Sequence, residues 1–204
     1  MSNAGTAAVS LSRVTKETDI SLSLEYGVNE PGASSVSVDT GAAFFDHMLG
    51  ALAFHGRFGL VIKAKGDIDV DYHHLVEDTG LVLGAAFHEL FQRSGAVERF
   101  GYSVIPMDDA LCEAAVDVAE RPFLVYRADF PQACAGTFPL CLVKEFFQAF
   151  TQKARVNLHL ICRYGENSHH MAEALFKAFG RALAAAYAPR NGERGDMSSK
   201  GAVS

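Results

Sequence analysis

The pattern His-His-x-x-Glu occurs twice in this chain, as His73-His74-Leu-Val-Glu77 and as His169-His170-Met-Ala-Glu173. Each copy opens a long stretch of helical apolar spacing. The first runs from His74 to Gln92 through Leu75, Val82, Ala86 and Leu90. The second runs from about Ser168 to Tyr187 and is stopped by Pro189. Ahead of each copy lies a β-rich run, Phe58 to Ala64 and Val156 to Arg163, and ahead of that a helical pattern, Phe44 to His55 and Leu140 to Lys153. Chance aligns apolar strands easily, but it seldom also repeats the matched polar positions at the start of the last helix. The chain therefore reads as an internal duplication of an α+β unit, with halves at 1–94 and 95–189. Each half is ordered strands, helix, strand, helix, with helices packed on one face of a sheet.

The remaining strands follow from alternation and turn residues. Ile20 to Tyr26 alternates apolar and polar side chains, and Val36-Ser-Val38 is expected to pair with it across Gly27, Asn29, Pro31 and Gly32. In the second half, Tyr102 to Ile105, Ala110 to Val118 and Phe123 to Phe130 read as strands, punctuated by Pro106, Pro122 and Pro131. The polar, Gly-rich tail 190–204 reads on its own as a flexible end.

Composition limits the function classes. A net charge of −6 opposes broad binding to a nucleic-acid backbone, which requires a basic face, while leaving room for a local phosphate pocket of a few Arg and Lys. No apolar run approaches the roughly 20 residues of a membrane span. The start, MSNAGTAAVS, lacks the charged and apolar regions of a secretory signal, so a cytoplasmic location with no membrane partner is expected. Cys112, Cys134, Cys141 and Cys162 form no Cys-x-x-Cys pair and are expected to be reduced thiols packed as small hydrophobes.

Chemistry concentrates in the histidines. His47, His55, His73, His74, His159, His169 and His170 lie in the paired segments; His88 sits mid-helix and reads as a partly exposed or subunit-contact residue. His73 and Glu77, four apart, share a helix face, as do His169 and Glu173. The adjacent His74 and His170 point about 100° away and can serve a different ion. Two metals are thus predicted, one held by His73, Glu77 and His170 and the other by His169, Glu173 and His74, with His47 and His159 available to complete them. A set of imidazoles and carboxylates without thiolates suits manganese, iron, zinc or nickel. A single copy would be weak, because adjacent histidines also cap helices, line interfaces or titrate as pH switches; duplication favours metal. Asp108-Asp109, following Pro106, reads as a turn rather than a catalytic dyad.

Taken together, RVTKET (from Arg13), FFDHML (from Phe44), HGRFGL (from His55), DYHHLVEDTGLVLG (from Asp71), RFGYSVIPMDDAL (from Arg99), ERPFLVY (from Glu120), KEFFQAF (from Lys144), LHL (from Leu158), GENSHHMAEALFKAFGRAL (from Gly165) and SSKG (from Ser198) resemble, in order, the imidazoleglycerol-phosphate dehydratases. The resemblance implies two tandem pseudo-repeats of a ribosomal protein S5 domain 2-like βαβ sandwich. It also implies two manganese ions per subunit and a large homo-oligomer, a 24-mer, with active sites between subunits. The implied reaction removes water from D-erythro-imidazoleglycerol phosphate to give imidazole acetol phosphate in histidine biosynthesis. Glu17 and His55 become the candidates for moving protons, against plainer readings as a solvent-facing strand residue and a helix-end cap. Glu17 also becomes a substrate contact. Arg99, Arg121, Ser199 and Lys200 become the phosphate contacts, and the tail is then ordered by ligand or assembly. The chain departs from the family's usual residues at Gly50, Ala51, Leu75, Asp109 and Ala119-Glu120, none of them a proposed metal ligand. Two other classes compete: a dinuclear hydrolase of a small phosphorylated metabolite, and an assembly protein whose metals only join subunits.

Overall fold

The computed structural model describes residues 7–26, 35–190 and 197. In chain order the elements are β1 (Ala7–Val14), β2 (Thr18–Tyr26), β3 (Val36–Asp39), α1 (Ala43–Gly56), β4 (Gly59–Gly66), α2 (His73–Arg93), β5 (Phe100–Met107), β6 (Ala110–Asp117), β7 (Phe123–Arg127), β8 (Cys134–Ala135), β9 (Phe138–Pro139), α3 (Leu142–Ala154), β10 (Asn157–Tyr164) and α4 (Ser168–Ala186). They build two matching four-stranded sheets, ordered β1-β2-β4-β3 and β5-β6-β10-β7, and the small hairpin β8-β9.

Strand alternation decides which face each sheet turns inward. Ile20, Leu22 and Leu24 of β2 are buried, as are Leu158 and Leu160 of β10, while the residues between them face outward. α2 covers β1 and β2, and α4 covers β5 and β6. The helices then pack across the halves, α1 on α4 and α2 on α3. The helix pairs face one another between the sheets, and a single core runs through both halves. The boundary at 94/95 thus separates repeats in sequence, not in packing. Phe87, Phe146, Phe147, Phe150, Phe176 and Phe179 are fully buried there in edge-on, tilted and stacked contacts. Each such ring contributes about 1.5–3 kcal/mol over the exposed state.

The helix crossings are close because two glycines permit them. A Cβ on Gly84 would lie 2.4 Å from the Phe150 carbonyl oxygen and 3.0 Å from the Ala154 nitrogen. A Cβ on Gly180 would lie 2.3 Å from the Leu52 oxygen and 3.2 Å from the Gly56 nitrogen. Gly84 and Gly180 stand eleven residues beyond His73 and His169 (84 against 73, 180 against 169), so the duplication reaches down to the contact atoms.

Several expectations are corrected. Val36 to Val38 does not pair with the Ile20 to Tyr26 strand; it runs parallel to β4, with Val36 opposite Leu60. Both edges of β2 are already taken, by β4 and by β1, in which Val9 and Leu11 alternate with Ser10 and Ser12. The strand at Tyr102 continues through Pro106 to Met107, tolerated because β5 is an edge strand. Cys134 and Cys141 are exposed rather than packed; all four cysteines are free thiols. Gly27, Asn29, Pro31, Gly32, Ser199 and Lys200 lie outside the described residues. No described helix is long and apolar enough to cross a membrane.

Candidate metal centre

Both motif copies begin their helices in the same way. Asp71 Oδ1 accepts the His73 amide at 2.7 Å, and Asn167 Oδ1 accepts the His169 amide at 2.9 Å. Each side chain satisfies an amide that the first helical turn leaves without a partner. The repeated unit is therefore Asx-x-His-His-x-x-Glu.

At the second copy, α1 lies beside α4 and brings His47 to the motif. His47 Nε2 and His169 Nε2 each lie 3.2 Å from Glu173 Oε2, and ligand atoms of all three residues fall within 4.8 Å of one another. Glu173 is buried at 7% exposure, and its other oxygen, Oε1, is 2.8 Å from Lys177 Nζ. Burial works to raise the Glu173 pKa, but Lys177 and His47 outweigh it and hold the value below the ordinary one. The carboxylate thus stays anionic with one oxygen aimed at two imidazoles. Phe44 meets the His169 ring edge-on at 5.4 Å and borders a cleft of about 830 Å³ that His169, His170 and Asp109 also line. Two imidazole nitrogens and a buried anionic oxygen, with room for further donors, fit a divalent cation of the manganese-to-zinc series.

The first copy is more open. His73 Nε2 and Glu77 Oε2 are 3.8 Å apart, and both side chains are nearly half exposed, against 10% for the Glu173 side chain. The second histidine of each copy is held by an aspartate. His74 Nδ1 is 3.0 Å from Asp67, and His170 Nδ1 is 2.5 Å from Asp109. A carboxylate at Nδ1 fixes the ring and leaves Nε2 outward, with the exposed Asp108 3.5 Å from that of His170. Asp67 raises the pKa of His74, with Glu17 adding to it. Asp109 also accepts the Glu166 and Asn167 amides at 2.6 and 2.8 Å, and His170 with these amides holds its carboxyl far below the usual range. Sequence reasoning passed over Asp67 and Asp109, because both sit in segments that look like ordinary turns.

The expected ligands are partly assembled. Among the described residues only His47, His169 and Glu173 converge. The pairing of His170 with His73 and Glu77, and of His74 with His169 and Glu173, is not made within the chain. His159 does not join the cluster within the chain: in β10 it alternates with buried Leu158 and Leu160, so it faces outward beside Phe100, Tyr102 and Asn157, on the sheet face opposite the helices.

The other candidates fall around these centres. Glu17 lies in the β1–β2 turn rather than in a strand; its carbonyl accepts the Asp67 amide at 3.1 Å, at the His74 end of the fold. That turn is fastened to α2 by the buried Asp78, which receives Arg13 at 2.9 Å and Thr18 at 2.5 Å. His55 sits in the last turn of α1 against Phe54, and burial together with Lys177 and Arg181 lowers its pKa. Arg99 is gripped by Asp117 at 2.7 Å and donates to the Met197 carbonyl at 2.8 Å. Met197 is buried, two residues before Ser199. Arg121 is exposed, and its carbonyl accepts from Asn157. His88 pairs with Glu120 at 3.3 Å and is partly exposed, as expected.

Comparison with known proteins identifies the family. The family model described as imidazoleglycerol-phosphate dehydratase matches residues 40–183. The chain is 48% identical over 183 residues to the imidazoleglycerol-phosphate dehydratase of Gluconobacter oxydans, covering 89% of this chain and 90% of that protein. It is 46% identical over 191 residues to that of Shouchella clausii, covering 94% and 96%. The crystal structure of the Staphylococcus aureus enzyme superposes with a TM-score of 0.80 at 34% identity, covering 90% of this chain and all of that one. That of Pyrococcus furiosus, in complex with (S)-C348, gives 0.79 at 34% identity, covering 94% and 99%. With sequence and fold matched over nearly their whole length, the chain belongs to the imidazoleglycerol-phosphate dehydratase family, hydro-lyases of histidine biosynthesis.

Proposed function

We propose that the chain dehydrates D-erythro-imidazoleglycerol phosphate to imidazole acetol phosphate with two bound manganese ions, in sites completed between subunits of a large cytoplasmic homo-oligomer. The observation that carries this is the convergence of His47, His169 and Glu173 around a space suited to a cation. A bound divalent ion supplies Lewis acidity, lowering the cost of the charge that develops when a barely acidic C–H is deprotonated.

The chain's own residues do the rest. Glu173 and Glu77 supply anionic oxygens; His47, His73, His169 and the outward Nε2 atoms of His74 and His170 supply imidazoles. Since His74 and His170 do not reach the opposite motif within one chain, a neighbouring subunit is the natural source of that crossing. Glu17, beside the His74 end, is the first candidate for moving the substrate's protons, and His55, whose pKa burial and nearby Lys177 and Arg181 lower, is the second. Arg99 and Arg121 receive the phosphate. The contact between Arg99 and Met197 lies two residues before Ser199 and three before Lys200, the proposed tail contacts.

The test is incubation of purified, manganese-loaded protein with imidazoleglycerol phosphate, together with native mass and elemental analysis. The proposal expects ketone product, two manganese per chain and a large complex. Release of free phosphate would instead mark a hydrolase, and metal-rich oligomers without turnover would mark an assembly role.

A further inference from the structure

The two arginines assigned to the phosphate hang on one short link, residues 118–122 between β6 and β7. At its near end Asp117 grips the Arg99 guanidinium at 2.7 Å, and the Val118 amide donates to the Arg99 carbonyl at 3.0 Å. Arg121 stands at its far end with an exposed side chain, so the backbone that carries it decides where the guanidinium points. Pro122 disfavours the helical region for Arg121 from one side. From the other side the backbone is set by Glu120.

Glu120 has φ 57°, in the left-handed region that glycine enters freely and a residue with a Cβ enters only when its surroundings hold it there. Here they do. Its side chain is only 14% exposed, and Oε2 lies 3.0 Å from Arg155 Nε. Arg155 Nη2 donates to the Glu120 carbonyl at 3.2 Å, so one guanidinium takes both the side chain and the backbone of this residue. Oε1 accepts from Gln92 of α2 at 3.3 Å, with His88 Nδ1 at the same distance. The residues after Arg155 continue the splint: the Val156 carbonyl accepts the Phe123 amide at 3.1 Å, and Asn157 Nδ2 donates to the Arg121 carbonyl at 2.7 Å.

We infer that Glu120 is a positioning residue for phosphate binding: its carboxylate, clamped between α2 and Arg155, fixes the left-handed bend that aims Arg121. This rests on the reading that Arg121 receives the substrate phosphate. The clamp also removes an electrostatic conflict. A free carboxylate next to a phosphate-binding arginine would repel the phosphate, and Arg155 neutralises it. Releasing the carboxylate should therefore harm binding at least as much as deleting it.

The test is steady-state kinetics of the manganese-loaded protein with imidazoleglycerol phosphate, with inorganic phosphate as competing ligand. The variants are Glu120→Ala, Glu120→Gln, Arg155→Gln, Arg121→Ala and the double variant Glu120→Ala with Arg121→Ala. Glu120→Ala should raise KM and the phosphate inhibition constant together by about tenfold, while kcat and bound manganese stay at wild-type values. Glu120→Gln keeps the length and an acceptor for Arg155, so it should recover most of the affinity. Arg155→Gln should raise KM at least as far as Glu120→Ala. Added to Arg121→Ala, Glu120→Ala should change nothing further, because it acts only through that guanidinium. If Arg121→Ala itself leaves KM unchanged, the phosphate reading falls and the inference with it. If Arg121→Ala raises KM but Glu120→Ala does not, if the two losses multiply in the double variant, or if the loss is in kcat, the phosphate reading stands and the inference is overturned. Should Glu120→Ala fail to fold, Arg155→Gln decides: an unchanged KM overturns the inference.

Discussion

The start of α2 and the start of α4 carry the same motif, the same Asx hydrogen bond to the first histidine's amide and the same glycine eleven residues on, yet only one has closed. At α4, His47 arrives from α1, Glu173 is buried and Lys177 holds its far oxygen. At α2, His73 and Glu77 stand 3.8 Å apart and open to solvent. Local sequence fixes the spacing of two ligands on one helix face; the neighbouring helix supplies the third.

The largest effect should come from the closed site. Glu173→Ala strips the buried anion from two imidazoles and leaves Lys177 without its partner, so bound metal at that site and turnover should both fall at least about 100-fold, measured by elemental analysis and product formation. Glu77→Ala should spare the closed site's ion; loss of both ions there would break the comparison. Next, Asp109→Asn and Asp67→Asn should each weaken metal binding about 10–100-fold by releasing the ring of His170 or His74. Equal affinity after either change would show that the aspartate does not orient its histidine.

Gly84→Ala and Gly180→Ala sharpen the comparison at the level of the fold. Each puts a methyl group against a carbonyl oxygen of the partner helix, at 2.4 and 2.3 Å. Both should destabilise by about 1–3 kcal/mol or more, seen as similar falls in melting temperature. A large effect at one and none at the other would deny that the crossings are equivalent.

Much of this was legible in the sequence, and the misses have physical causes. The paired helix starts were visible because ligands four apart on a helix need only local spacing. His159 was assigned by residue type, although its own alternation with Leu158 and Leu160 turns it outward. The pairing of Val36 to Val38 failed because both edges of β2 are filled by β1 and β4, a sheet order that the turn residues between β2 and β3 do not reveal. Asp67 and Asp109 were passed over because a turn carboxylate reveals its partner only when the chain folds back.

Two smaller effects complete the set. Asp67 raises the pKa of His74, so in the metal-free chain their interaction stabilises the fold below the unfolded histidine value, about 6.5. It is lost as pH rises through the folded value. Asp67→Asn should therefore lower the melting temperature at pH 6 more than at pH 9. Equal loss at both would refute a role for the protonated ring. His159→Ala should leave metal content unchanged and alter stability by less than about 0.5 kcal/mol.

The most direct test is anomalous diffraction from crystals grown with manganese. The account predicts two peaks per chain, one within about 2.0–2.3 Å of His47, His169 and Glu173 and one similarly close to His73 and Glu77. Manganese bound away from both helix starts, or a single ion with the His73 and Glu77 pair empty, would contradict it.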